Sequence, residues 1–259
     1  MTWTQDLSGR VALVTGGAER VGAVICQALA QAGADVAVNH LERAQAAAET
    51  VAALEATGRR AVAIEADVSS AGEGARLVEQ TVAELGRLDI LIHNASTFVR
   101  RPFLELTEED FETSFGVGLR GPFFLSQAAA RVMLPQGSGR IIALAGNSLY
   151  EAWPDYVSHA LAKAGLARLM ELLAVALSPA VQCTAIAPDR ILWTSAEHDH
   201  HQRGVRAQDG AAAGLVELEG VRFRTGSAQD VAALVVELCK AGPYLNGAII
   251  PLDGGKSRL

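Results

Sequence analysis

Short β-rich apolar runs alternate with longer helical patterns along almost the whole chain, and that alternation leaves few folds open. Residues 11–15 (VALVT) read as a buried strand. The segment VGAVICQALAQAG that follows the next turn reads as a helix closed by Gly33. Further strands are expected at 35–39, 61–68, 89–96, 140–146 and 181–188, with a last one in GAIIPLDGG. Helices are expected between them: an Ala/Glu-rich one to about Thr57, then 73–85, 108–115, 122–133, 155–177 and AQDVAALVVELC. Strands that alternate with helices form a parallel sheet covered on both faces. The expected fold is therefore one doubly wound α/β domain of Rossmann type spanning residues 1–259. Half of the 259 residues are hydrophobic, which suits one large core better than two small ones.

Ligands of such sheets bind beyond the carboxyl ends of the strands. The polar, weakly periodic segment from Asp189 to about residue 226 follows the sixth strand at that end and reads as a substrate lid. Its run EHDHHQR (197–203) is expected to be solvated loop, with no metal site. Trp153 and Trp193 flank the expected pocket, where they wall an aromatic or polycyclic substrate or else belong to the core. Net charge is −7 with acids and bases interspersed, so nucleic acid is an unsuitable partner. No apolar run is long enough for a membrane span, and the first ten residues lack the pattern of a signal peptide. Cys26, Cys183 and Cys239 are odd in number and in apolar contexts, as expected of buried thiols in a reducing cytoplasm.

The first strand and first helix are joined by TGGAERVGA (15–23). Gly16 allows a tight turn, Gly22 lets helix and strand approach, and the helix N-terminus then offers free N–H groups to a diphosphate. With this turn, ADV (66–68), HNAS (93–96), YVSHALAK (156–163), AIAPDRI and the terminal LDGG, the chain resembles the short-chain dehydrogenase/reductase superfamily over essentially its whole length. Arg20 replaces the middle glycine of the usual TGxxxGxG, which resembles the pteridine-reductase branch. An NAD enzyme places an acid at the end of the second strand. Here that place holds Asn39, then His40 and later Arg43, a neutral-plus-basic set that favours NADPH over NADH. The resemblance implies that Gly16, Arg20, Val21 and Gly22 hold the phosphates, that Asp67 and Val68 contact the adenine, and that Asn94, Ala95 and Pro188 line the cofactor trench. It also implies a homotetramer.

The family's chemistry uses a tyrosine, a lysine four residues later, a serine and an asparagine. Lys163 matches the lysine, and by resemblance binds the nicotinamide ribose. His159 stands at the tyrosine's place, Gly146 at the serine's and Gly118 at the asparagine's, so more room is expected in the pocket. Three readings stay open. Tyr156, seven residues before Lys163, has the spacing of the superfamily's enoyl-thioester reductases, with Tyr150 as a loose counterpart of their second tyrosine. On a helix with Asp155 as N-cap, Tyr156, His159 and Lys163 would project together. Alternatively, His159 as a neutral imidazole donates a hydrogen bond to a carbonyl. In the third reading the chain keeps the fold and binds a ligand or partner without redox turnover. Asp189 stands where the family commonly has glycine after proline, as a possible new acid–base group.

Overall fold

The computed structural model describes residues 6–189, 215–218 and 221–258. Seven parallel strands form one sheet in the order β3-β2-β1-β4-β5-β6-β9. They are β1 (Val11–Val14), β2 (Asp35–His40), β3 (Ala61–Glu65), β4 (Ile90–His93), β5 (Gly139–Leu144), β6 (Val181–Pro188) and β9 (Ile249–Leu252). The helices between them are α1 (Arg20–Gln31), α2 (Ala44–Glu55), α3 (Ala71–Leu85), α4 (Glu108–Phe115), α5 (Gly121–Gln136), α6 (Val157–Ala176) and α7 (Ala228–Lys240). The expected fold is the one observed.

Strand period 2 explains why both faces are covered. In β1, Val11 and Leu13 point to a cluster completed by Leu77 of α3, Leu125 and Met133 of α5, and Leu166 and Met170 of α6. Ala12 and Val14 point to the opposite cluster, with Ile25 and Leu29 of α1, Leu54 of α2, and Val231 and Val235 of α7. Each strand thus supplies alternate side chains to two cores, which is why mostly apolar runs form the sheet.

Three local expectations change. The last helix before β6 begins at Val157, not at 155, because Pro154–Tyr156 forms a separate 3-10 turn. Asp155 does not cap it; its carboxylate pairs with Arg100 at 3.0 Å, and the N-cap residue is Tyr156 without a side-chain bond. The second strand runs one residue further than expected, to His40. Within the supposed lid, β7 (Leu215–Leu218) and β8 (Val221–Arg224) form an antiparallel pair. The histidine run 197–203 and Trp193 lie outside the described residues.

Candidate functional site

The strand order reverses between β1 and β4, which opens a crevice at their carboxyl ends. Asn94, just past β4, closes its floor. Its Nδ2 donates to the carbonyls of Thr15 (2.8 Å) and Gly16 (2.9 Å), and its backbone N–H donates to Thr15 Oγ1 at 3.0 Å. These bonds pin the glycine turn to the neighbouring strand. A Cβ at Gly22 would lie 2.1 Å from Gly16 O, so the helix start and the turn are as close as glycine permits. Arg20 has φ 57, an uncommon value for a non-glycine residue, and it is the first residue of α1.

One cavity of about 720 Å3 runs from this turn to α6. The residues assigned to cofactor binding, together with Tyr156, His159 and Lys163, line it: Gly16, Arg20, Val21, Gly22, Asn39 and His40 at one end; Asp67, Val68, Asn94 and Ala95 along it; Tyr156, His159, Lys163 and Pro188 at the other. The cradle fits a dinucleotide. The glycine turn offers the close backbone approach, and the buried Nδ1 of His40 at the end of β2 has no partner among the described residues. Asn39 is differently engaged than its position suggested. Its Nδ2 lies within 3.0–3.3 Å of the carbonyls of His40, Ile64 and Ala66, and its Oδ1 accepts from Gly16 N–H at 3.2 Å. The amide ties the turn to β3, and the polar groups lining the cavity there are His40, Arg20, Arg43 and the carboxylate of Glu19.

At the far end Lys163 is buried, and its Nζ donates to Leu144 O at 2.8 Å. Burial lowers its pKa to about 8, because removing water disfavours the ammonium. His159 is 5% exposed and its Nδ1 lies 2.9 Å from Thr97 O. Phe98 stacks on the imidazole at 4.4 Å, and Trp153 lies parallel to it within 3° at 6.4 Å. Burial, and then the charge of Lys163, lower the His159 pKa to about 4, so the ring is neutral at ordinary pH. Tyr156 meets Phe98 and Trp153 edge-on, at 6.3 and 6.0 Å. It reaches the cavity through the 3-10 turn and not by helical periodicity, since it precedes α6. Thr97, Phe98 and Arg100 carried no sequence signal; a loop after a strand brings them in.

A family model described as enoyl-(acyl carrier protein) reductase matches residues 16–257. An L-rhamnose 1-dehydrogenase (NAD(P)(+)) of Sphingomonas sp. strain SKA58 is 31% identical over 252 residues, 96% of each chain. A short-chain dehydrogenase/reductase of Armillaria gallica is 32% identical over 259 residues, 98% of each chain. The chain belongs to the short-chain dehydrogenase/reductase family. A solved short-chain dehydrogenase from Burkholderia cenocepacia J2315, in complex with NADP, superposes with TM-score 0.84 at 32% identity, covering 98% of this chain and 99% of that one. The protein is thus an oxidoreductase of a family that binds NAD(P) and acts on small molecules.

Two glycines of this short-chain dehydrogenase/reductase stand where resemblance puts a serine and an asparagine. Gly146 has φ 93, in the left-handed region, with open space around a would-be Cβ. Gly118 lies in a π-helical turn, Gly116–Arg120, where a Cβ would come 2.9 Å from Ala162 Cβ. Gly118 does not line the cavity, so it does not enlarge it as the sequence suggested. Restoring the family residues is expected to cost stability. Gly146→Ser meets backbone strain and Gly118→Asn meets a neighbour, each at about 1–3 kcal/mol. Urea unfolding of the two variants checks this, and Ala162→Gly should relieve only the second. Unchanged midpoints in both would show that the backbone adapts freely.

Asp189 is not a free acid–base group. Lys256 Nζ lies 3.2 Å from Asp189 Oδ1 and 2.8 Å from Glu151 Oε1, so the C-terminal turn is ion-paired to the rim. Tyr150 is exposed, lies outside the cavity lining and stacks beneath Arg258, so it is no second tyrosine of the site. The thiols of Cys183 and Cys239 are pushed up to about 12 by burial, which keeps them unreactive. Among the described residues no helix is long and apolar enough to cross a membrane, and no cluster of His, Cys, Asp or Glu is suited to a metal.

Proposed function

We propose that this chain is an NADP(H)-dependent oxidoreductase with a non-standard catalytic set, acting on a carbonyl or conjugated small molecule. The observation that carries the reading is the single cavity joining the glycine turn, the basic residues after β2 and buried Lys163. A nicotinamide dinucleotide bound there supplies or takes up the hydride. The chain's own residues do the rest. Gly16 and Gly22 leave room for the diphosphate, and Asp67, Val68, Asn94, Ala95 and Pro188 wall the trench. Lys163 has further ammonium donors beyond the one given to Leu144 O, available to ribose hydroxyls. Tyr156 or His159 handles the proton at the substrate.

The choice of NADPH rests on the absence of a carboxylate at the end of β2 and on Arg20 and Arg43 beside it. Arg43 pairs with Glu19 at 3.5 Å in an exposed contact of small worth, which a phosphate can replace. A charge-assisted bond to phosphate is worth about 1.5–3 kcal/mol, roughly a 10- to 100-fold change in affinity. The test is fluorescence titration with NADPH and NADH in parallel. Arg43→Ala and Arg20→Ala should each weaken NADPH by that factor and leave NADH nearly unchanged. Equal or tighter NADH binding by the unaltered protein would sink the NADPH assignment. No binding of either would sink the oxidoreductase mechanism and favour a ligand- or partner-binding protein.

The same reading includes a homo-oligomer, a tetramer by family resemblance, working in the cytoplasm. Supporting it are exposed apolar residues on two neighbouring helices: Phe123, Phe124 and Leu134 on α5, and Leu161, Leu172 and Val175 on α6.

A further inference from the structure

The hydrogen bond of His159 carries an inference about substrate chemistry. A backbone carbonyl only accepts, so the short contact from Nδ1 to Thr97 O requires the proton on Nδ1. In a neutral ring Nε2 then bears a lone pair and no hydrogen. Nε2 has no partner among the described residues, it belongs to a residue that lines the cavity, and it is not sealed off as His40 Nδ1 is. The ring cannot turn over without losing its bond to Thr97 and its stacking on Phe98. At Nε2 a neutral histidine held in this way cannot donate to a substrate carbonyl; there it can only accept.

We propose that His159 accepts the proton of a substrate hydroxyl, so that the site is built for a secondary alcohol bearing apolar or aromatic substituents. This rests on the oxidoreductase reading and gives it a direction, in which the carbonyl compound is the product and the alcohol the substrate. In the step, the substrate O–H bond breaks and its proton goes to Nε2. The carbinol C–H bond breaks with its electron pair, which is transferred as hydride to the oxidised nicotinamide dinucleotide. A C=O bond forms, the alcohol is oxidised and the dinucleotide reduced, and the imidazolium returns its proton to solvent. Phe98 and Trp153 lie roughly parallel to the imidazole and Tyr156 packs edge-on against both, an aromatic surround that suits an apolar substituent and disfavours the charged ring.

Several charged groups bear on the ring. Lys163 lies on its own helix, and its charge further disfavours the imidazolium. The Arg100–Asp155 pair stands in the cavity wall, and Asp189 sits at the end of β6 with Lys256 bound to it. Both carboxylates already hold a cation, so neither serves as counter-ion to a resting imidazolium.

The test is imidazole 15N NMR of the full chain, with His159 assigned by the loss of its signals in His159→Asn. The expected result is a protonated Nδ1 and an unprotonated Nε2 throughout the range from about pH 5 to pH 8. Adding 1-phenylethanol should shift the Nε2 resonance, and adding acetophenone, which has no O–H, should leave it in place. A protonated Nε2, titration to imidazolium within that range, an equal shift with the ketone, or no shift with either probe would each overturn the proposal. A parallel NADPH titration separates the two levels of inference. Absence of NADPH binding in the unaltered chain overturns the oxidoreductase reading, and the base role with it, whatever the tautomer.

Discussion

Gly22→Ala is expected to abolish NADPH binding at micromolar concentrations, a loss of at least about 100-fold, or about 2.7 kcal/mol. The added methyl carbon would lie 2.1 Å from Gly16 O, 2.7 Å from Asn94 Nδ2 and 2.9 Å from Gly16 C. Two of those atoms are backbone. The third is held by its own bonds to the carbonyls of Thr15 and Gly16. Relief therefore requires the turn to move away from α1, which takes the helix N-terminus off the phosphate position. A helical glycine with open space serves as the control. Gly72 in α3 is exposed and has nothing within 4 Å of a would-be Cβ, so Gly72→Ala should leave binding intact and raise stability by about 0.4–1 kcal/mol. Circular dichroism verifies folding of both variants before the titration. Wild-type affinity in a folded Gly22→Ala protein would show that this turn is not the phosphate cradle.

Mild acid should destabilise the protein more steeply than its surface charges would. Burial first, and then the Lys163 charge, hold the His93 pKa at about 3; the same causes hold His159 at about 4. Both values lie below the ordinary 6.5, so from pH 6.5 downward the unfolded chain binds two protons that the folded chain refuses. Unfolding takes up protons across that window, and stability falls as pH falls, until the folded histidines titrate in turn. Each unit of pH is worth about 1.4 kcal/mol per histidine, so the two together remove on the order of 4 kcal/mol between pH 6.5 and 5. Urea unfolding at several pH values measures the slope. His159→Asn should about halve it, and a slope unchanged by that substitution would show that His159 does not contribute.

Much of the fold was legible because a doubly buried strand leaves no latitude. Every residue of β1, β4 and β5 is buried, and apart from His93 at the end of β4 and Arg140 near the start of β5 these strands hold only apolar residues and glycine. The glycine turn was legible for a related reason, since a Cβ at Gly22 collides with backbone whatever surrounds it. The helix start at 155 was misread. Asp155 has the chemistry of a cap, but Arg100, fifty-five residues away, takes its carboxylate at 3.0 Å. Asn39 was read from its position as part of a set that selects NADPH, yet three carbonyls and the Gly16 N–H already claim its amide.

Family resemblance supplied most of the residues from Gly16 to Lys163 that line the crevice; the local pattern alone determined the layered α/β architecture, the crevice beyond the strand ends and the glycine turn. These follow from burial periodicity and from steric limits that act within a few residues. Only the tertiary structure decided what each polar group is free to do. It engaged Asp189 with Lys256 and Asn39 with the backbone, made Gly146 a matter of φ as well as of a missing hydroxyl, and bound one nitrogen of His159 to Thr97. A side chain's type sets which hydrogen bonds it can make. Which of them remain for a ligand depends on partners brought close by folding, and those lie tens of residues away along the chain.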